Sequence, residues 1–101
     1  MDVSDRSDIE LAGKLGKSYK DLTVADVIDN MPKVNKMIFE AIRDNYMFHR
    51  QNEQETIEDV RKLIQHCNEL QRNVIIYFTH EMFHNEEWQR ARRKINKLED
   101  C

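Results

Sequence analysis

Apolar residues recur at helical spacing through the middle of the chain. A run after Thr23 predicts a short helix over 24–31, and Pro32 ends it because proline disfavours the α conformation in the residue before it. A second helix is predicted over 33–50. One stripe of this helix has alternating spacings of four and three residues: Val34, Ile38, Ala41, Asn45 and Phe48. Further apolar positions flank the stripe, so the apolar face is broad enough to touch two partners.

The most regular pattern runs from Val60 to Leu98. Twelve positions at strict spacings of three and four, ten of them apolar, form a seam that is typical of a coiled coil. We call these residues the C-terminal seam and predict that they mediate interaction: Val60, Leu63, Cys67, Leu70, Val74, Tyr77, Glu81, His84, Trp88, Ala91, Ile95 and Leu98.

The seam predicts helices over 57–84 and 86–99. Thr56 with Asp59 forms a start signal for the first. The two helices are one rod of roughly 58 Å unless Asn85 caps a new helix. Residues 73–79 are β-branched and aromatic, but no turn residues bound them and the seam runs through without a slip, so we expect helix there too.

Composition supports a helical protein. The chain has 101 residues but only two glycines and one proline, and all three precede position 33. Such scarcity of turn residues disfavours sandwiches, barrels and βαβ units. We therefore predict an all-α fold: a helical hairpin whose long C-terminal helix extends as a coiled coil, in a small helical bundle that dimerises. Residues 1–21 are expected to be a partly ordered acidic leader, and residues 22–101 the helical domain.

Charge and cysteine content limit the setting. The net charge is −3, the N-terminus is polar and acidic, and there is no apolar run near 18 residues. We therefore expect no signal peptide, no membrane partner and a cytoplasmic location, in the host cytoplasm if the source is a phage or virus. Cys67 occupies a seam position, where cysteine packs as a small apolar residue, and Cys101 is terminal, so no disulfide framework is expected.

One short motif has the spacing of a metal site. The segment His80-Glu81-Met82-Phe83-His84 reads H-E-x-x-H, which resembles the zinc metallopeptidase signature over these five residues. The rest of the chain offers no predicted edge strand or third ligand, so Glu81 and His84 are better interpreted as a polar layer in the seam. We expect no cofactor and no metal, with His80 and His84 as weak zinc candidates.

The C-terminus carries a local positive charge. Five basic residues lie near Trp88 and are candidate contacts for an acidic partner or for phosphates: Arg90, Arg92, Arg93, Lys94 and Lys97. The alternative interpretation is that they solvate the last turns of a helix and interact with its dipole.

These features favour binding over catalysis, because the chain lacks glycine-rich loops and positioned nucleophiles. We predict that the chain is not an enzyme. It is expected to be a homodimeric protein–protein interaction module, an adaptor or regulator of the kind found in phages, viruses and bacteria. The first alternative is a nucleic-acid-associated regulator that uses the basic C-terminal helix. The second is a zinc protein that uses residues 80–84.

Overall fold

The computed structural model describes residues 7–99, which are mainly helical and contain no strand, so the all-α fold class is confirmed. Within this range the chain forms a 3₁₀ turn at Tyr19–Asp21 and six α-helices. The helices are α1 (Ser7–Leu15), α2 (Val24–Asp29), α3 (Lys33–Phe48), α4 (Glu53–Ile64), α5 (Glu69–His84) and α6 (Glu86–Glu99). None of them is long and apolar enough to cross a membrane.

The predicted leader contains α1, which packs against α5 and buries Ala12. Gly16 ends this helix in a left-handed conformation (φ 70°), which glycine adopts without steric cost. Helix α2 begins with a capping box in which Thr23 and Asp26 each accept a hydrogen bond from the other's backbone N–H. Lys17 donates to the Asp26 carboxylate at 2.8 Å and ties the two segments together.

Helix α3 is central to the bundle, because one side packs on α4 and another on α6. Its inward face contributes four buried residues to two adjoining apolar clusters, and Phe78 of α5 contacts both clusters. The buried members are, in the first cluster, Met31, Phe39, Ile42, Val60, Leu63 and Ile75, and in the second, Tyr46, Met47 and Met82.

The stretch predicted as one helix over 57–84 is two helices in the structure. Helix α4 ends at Ile64, and Asn68 begins α5 through a capping box: its side chain accepts from the Gln71 N–H at 2.8 Å, and the Gln71 side chain accepts from the Asn68 N–H at 3.2 Å. These bonds satisfy backbone donors that a continuous helix would pair internally. The chain therefore reverses, and α5 packs back against α4.

The start of α4 also differs from the predicted position. Asn52, not Thr56, is the cap, since its side chain accepts from the Glu55 N–H at 2.8 Å. Thr56 lies within α4, fully buried, and its hydroxyl donates to the Asn52 carbonyl.

The structure breaks the C-terminal helical stretch at Asn85, between α5 and α6. The Asn85 side chain accepts from the Glu87 N–H at 2.9 Å, and α6 leaves in a new direction to pack on α3 and α5. The described residues span 50 × 25 × 24 Å, which is shorter than the predicted rod alone. Two breaks have thus converted the rod into a bundle of three helices.

Candidate interaction surface

The outer side of α3 is apolar and exposed. Val34, Met37, Ile38 and Phe48 are each 40 to 66% exposed, and Ala41 and Asn45 lie exposed between them. We call these six residues the α3 stripe. Five of them form the predicted pattern of fours and threes, and Met37 widens it. Each residue turns the helix by 100°, so the stripe points away from the buried Phe39 and Tyr46. Helix α3 is therefore apolar on two sides, and only one of them is covered.

A groove deepens the surface along one edge of the α3 stripe. It lies between α3 and α4 and has a volume of about 390 Å³. Its floor is apolar, with Ile38, Ala41 and Ile42 from α3 and Leu63 from α4, while polar side chains of α4 form the rim. The Asn35 side chain donates to the His66 carbonyl at 3.1 Å and holds this end of the groove together. A projecting apolar side chain of a partner would find both depth and apolar contact there.

The two edges of the α3 stripe differ in charge. Lys62 of α4 and His66 in the turn after it lie on the groove side, together with Asp59, whose carboxylate accepts a hydrogen bond from the Gln51 side chain at 2.8 Å. On the opposite side, α3 presents the exposed Lys33 in its first turn and then Glu40 and Asp44 on successive turns, and Asp44 pairs with Arg43 at 3.1 Å. Glu40 and Lys62 make no ion pair within residues 7–99, so both charges are available to a partner.

The C-terminal seam does not form one face. Val60 and Leu63 are buried in the core through α4, and Cys67 lies in the turn before α5. On α5, Tyr77 is 55% exposed, whereas Trp88 on α6 packs against Phe78 with ring centroids 5.1 Å apart. The remaining members are half-buried or exposed except Leu98, whose side chain lies outside those described: Leu70, Val74, Glu81, His84, Ala91, Ile95 and Leu98. The predicted intermolecular seam is thus divided among three helices.

The basic run is also divided, because Arg92 points inward. Its guanidinium lies 4.1 Å from the Tyr46 ring centre and donates to the carbonyls of Tyr46 and Gln51 at 2.9 and 3.1 Å. These carbonyls lie at and beyond the C-terminus of α3, where a cation is favoured. Gln89 donates to the Tyr46 hydroxyl at 2.8 Å and completes the junction. Arg92 is thus a structural residue, which the sequence interpretation did not identify.

The other basic residues of the run stay on the exposed side of α6. Arg93 pairs with Glu86 at 3.3 Å in a solvent-exposed ion pair. Arg90, Lys94 and Lys97 are exposed as well. The spacings of three and four residues place these four side chains on one helix face.

The H-E-x-x-H segment forms the last turns of α5. The His80 and His84 rings are both exposed, with centroids 4.6 Å apart, as expected for i and i+4 positions on a helix. Glu81 is half-buried and accepts a hydrogen bond from the Asn85 side chain at 2.9 Å. Within the described part of the chain, no three His, Cys, Asp or Glu side chains come together in a group that could hold a metal.

Cys67 is half-buried beside the first apolar cluster. Its Sγ donates to the Leu63 carbonyl at 3.4 Å, and burial raises the pKa of the thiol. A raised pKa keeps the thiol protonated, which agrees with the predicted packing role. Cys101 lies outside the described residues.

A second, smaller apolar surface lies on the other side of α4. Ile76 and Tyr77 of α5 are 47 and 55% exposed. A groove of about 260 Å³ runs beside Ile76, lined also by Ile57 and Ile64.

Comparisons with protein-family models, with curated proteins and with solved structures found no match for this chain. The choice between the two surfaces therefore depends on their own chemistry.

Proposed function

We propose that this protein is an interaction module, an adaptor or regulator, that binds an apolar helix of a partner through the α3 stripe. The observation that supports this most strongly is the exposure of an ordered apolar stripe with the spacing of a helix–helix seam. Four large apolar side chains exposed by 40 to 66% make this patch comparable with the largest, often functional, patches of monomers, which cover roughly 300 to 600 Å².

The alternative surface on α5 is less suited to a helix. Only Ile76 and Tyr77 are strongly exposed there, and the next turn brings the polar His80. The α3 stripe instead runs for about four turns, from Val34 to Phe48, beside a groove of larger volume. Helix-in-groove recognition uses anchors at such spacings along several turns.

The experiment uses two isoleucines with similar settings. Ile38 and Ile76 are 43 and 47% exposed, and each lines a groove against α4, on opposite sides. Ile38→Glu places a charge in the α3 stripe, and Ile76→Glu is the matched control. Far-UV circular dichroism and urea unfolding establish that both variants are folded.

The tagged full chain and the two variants are compared in quantitative capture experiments from cell extract and with a differently tagged second copy of the chain. We expect Ile38→Glu to lose at least nine tenths of the protein bound by wild type and by Ile76→Glu. Equal capture by wild type and Ile38→Glu would contradict the proposal.

The nucleic-acid alternative is supported by the exposed face of α6, where Arg90, Arg93 and Lys94 lie together. Arg92 is already engaged in the α3 junction, which reduces the charge available to phosphates. A mobility shift at 50 mM salt that disappears at higher salt and in Arg90→Ala/Lys94→Ala would favour this function. No shift at 50 mM salt would exclude it.

The zinc alternative has two exposed imidazoles and no third ligand among the described residues. It is tested by metal analysis of protein purified without a histidine tag. Less than about 0.2 zinc per chain would exclude it.

A further inference from the structure

We propose that the occupant of the α3 stripe is a second copy of this chain, with the two α3 helices parallel and in register. This proposal rests on the proposed function, since it names the partner for the same surface. Three observations support it: the residue at each seam position, the charge of the two edges and the size of the patch.

The spacing assigns each residue of the α3 stripe to a coiled-coil position. In a heptad, a to d is three residues and d to the next a is four. Val34, Ala41 and Phe48 are therefore at d, and Ile38 and Asn45 at a. In parallel dimers a β-branched residue at a favours two strands when d is leucine, and a single asparagine at a specifies register and oligomer state; the α3 stripe has the a residues of this pattern, with Val, Ala and Phe at d.

The Asn45 side chain favours a parallel over an antiparallel arrangement of the two α3 helices. Its side chain is exposed and makes no hydrogen bond within the described residues, although it lies among apolar neighbours. In a parallel pair, Asn45 meets Asn45 of the second copy, and each amide both donates and accepts. In an antiparallel pair centred on Ala41, Asn45 meets Met37 instead. The amide would then be desolvated without a partner, which costs free energy.

The charged edges favour the same direction. A two-fold axis along α3 brings the Glu40 edge of each copy against the α4 edge of the other, so that Glu40 faces Lys62. A two-fold axis across α3 reverses the partner helix and keeps like edges together. It would bring the two α4 edges with Lys62 together and the two edges with Glu40 and Asp44 together, so like charges would meet.

The patch is large enough to be the centre of a dimer interface. A stable interface buries about 800 Å² on each partner, with an apolar core and a polar rim. The α3 stripe supplies roughly half of that area as apolar surface. The polar side chains that border the groove, including Lys62 of α4 and His66 in the turn after it, supply the rim.

Cysteine cross-linking tests both the occupant and the direction. Val34→Cys is introduced into the full chain with Cys67→Ala and Cys101→Ser. At a d position of a parallel pair the two Val34 sites lie near the Cα separation of 4.4 to 6.8 Å that a disulfide requires. In an antiparallel pair Val34 lies opposite Phe48, so only a mixture of Val34→Cys and Phe48→Cys chains would cross-link.

We expect most Val34→Cys chains to form a disulfide-linked dimer under mild oxidation. Adding Ile38→Glu should lower the yield at least tenfold, and adding Ile76→Glu should leave it unchanged. Cross-linking confined to the mixed Val34→Cys and Phe48→Cys sample would overturn the parallel arrangement.

The remaining outcomes separate this proposal from the proposed function. No cross-linking in any sample, together with loss of heterologous capture by Ile38→Glu, would overturn self-pairing but leave the α3 stripe as the docking surface. Efficient cross-linking that Ile38→Glu does not reduce would overturn both.

Discussion

The α3 stripe and the C-terminal seam have the same spacing of threes and fours but opposite environments. The α3 stripe lies on one unbroken helix and is exposed along its length. The C-terminal seam is interrupted at Asn68 and Asn85, and its first two members, Val60 and Leu63, are in the core. The periodicity of a stripe therefore indicates which residues can share a helix face. It does not indicate whether the helix is continuous or whether the protein covers that face itself.

The breaks at Asn68 and Asn85 explain why the α3 stripe is exposed while part of the C-terminal seam is buried. Because α4, α5 and α6 are separate helices, they fold around α3 and cover its inward face. The outward face then has no helix left to pack against within residues 7–99. The shorter and less regular of the two stripes is thus the one available for a partner.

The largest expected effect is a difference in the free energy of unfolding between variants at two members of the C-terminal seam, Leu63 and Tyr77. Leu63→Ala should destabilise the protein by about 3 kcal/mol, because a buried leucine loses its contacts and leaves a cavity. Tyr77→Ala should cost less than about 1 kcal/mol, since Tyr77 is more than half exposed. Urea unfolding of both variants checks this. Equal losses would indicate that the seam is one continuous interface after all.

The next effect concerns the junction of α3 with α6. Arg92→Ala should cost about 2 kcal/mol, because it removes two charge-assisted hydrogen bonds and the stacking on Tyr46. Arg90→Ala on the exposed face should change stability by less than about 0.5 kcal/mol. Thermal unfolding of the two variants, at one protein concentration, compares them. A larger loss for Arg90→Ala would contradict the assigned roles.

A smaller effect tests the break between α4 and α5. Asn68→Ala should cost about 1 kcal/mol, since the α5 capping box loses its side-chain acceptor. Asn73 is exposed within α5, so Asn73→Ala should be neutral or slightly stabilising, because alanine has the higher helix propensity. If Asn68→Ala is instead stabilising, the capping box does not hold the break.

The smallest effect is a pH dependence that lies outside both stripes. The Lys17 ammonium and the Thr23 backbone N–H, each hydrogen-bonded to Asp26, hold the pKa of that carboxyl below its ordinary value of 3.8. The depressed pKa contributes stability that is complete above 3.8 and is lost as the pH falls through the folded-state pKa. The stability gap between wild type and Asp26→Asn should therefore be constant near neutral pH and shrink below 3.8.

Chemical denaturation from about pH 3 to 7 measures this gap, and self-association of Asp26→Asn should match that of wild type. A gap that widens in acid would contradict the assigned pairing.

Much of the fold could be predicted from local signals. The Thr23 cap, the proline stop and the α3 pattern are encoded in adjacent residues, and the structure has helices at these places. The break at Asn68 carries a local signal too, an asparagine followed three residues later by glutamine. The C-terminal seam hides this signal, because Leu63, Cys67 and Leu70 keep the spacing of a continuous helix across the turn between α4 and α5.

The site could be predicted only in part. The five spaced positions of the α3 stripe are visible in the sequence, but their exposure depends on how α4 and α6 pack, and that depends on long-range contacts. The role of Arg92 depends on contacts with Tyr46 and Gln51, more than 40 residues earlier in the chain. No spacing rule relates residues so far apart.

Sedimentation equilibrium of the full chain tests most directly whether the α3 stripe is the surface through which the protein associates. Wild type and Ile76→Glu should sediment as dimers at micromolar to millimolar concentrations, with twice the chain mass of 12.2 kDa. Ile38→Glu should sediment at 12.2 kDa with unchanged helicity. A wild-type monomer throughout that range would contradict self-pairing, and a dimer that persists in Ile38→Glu would contradict the assignment of the surface to the α3 stripe.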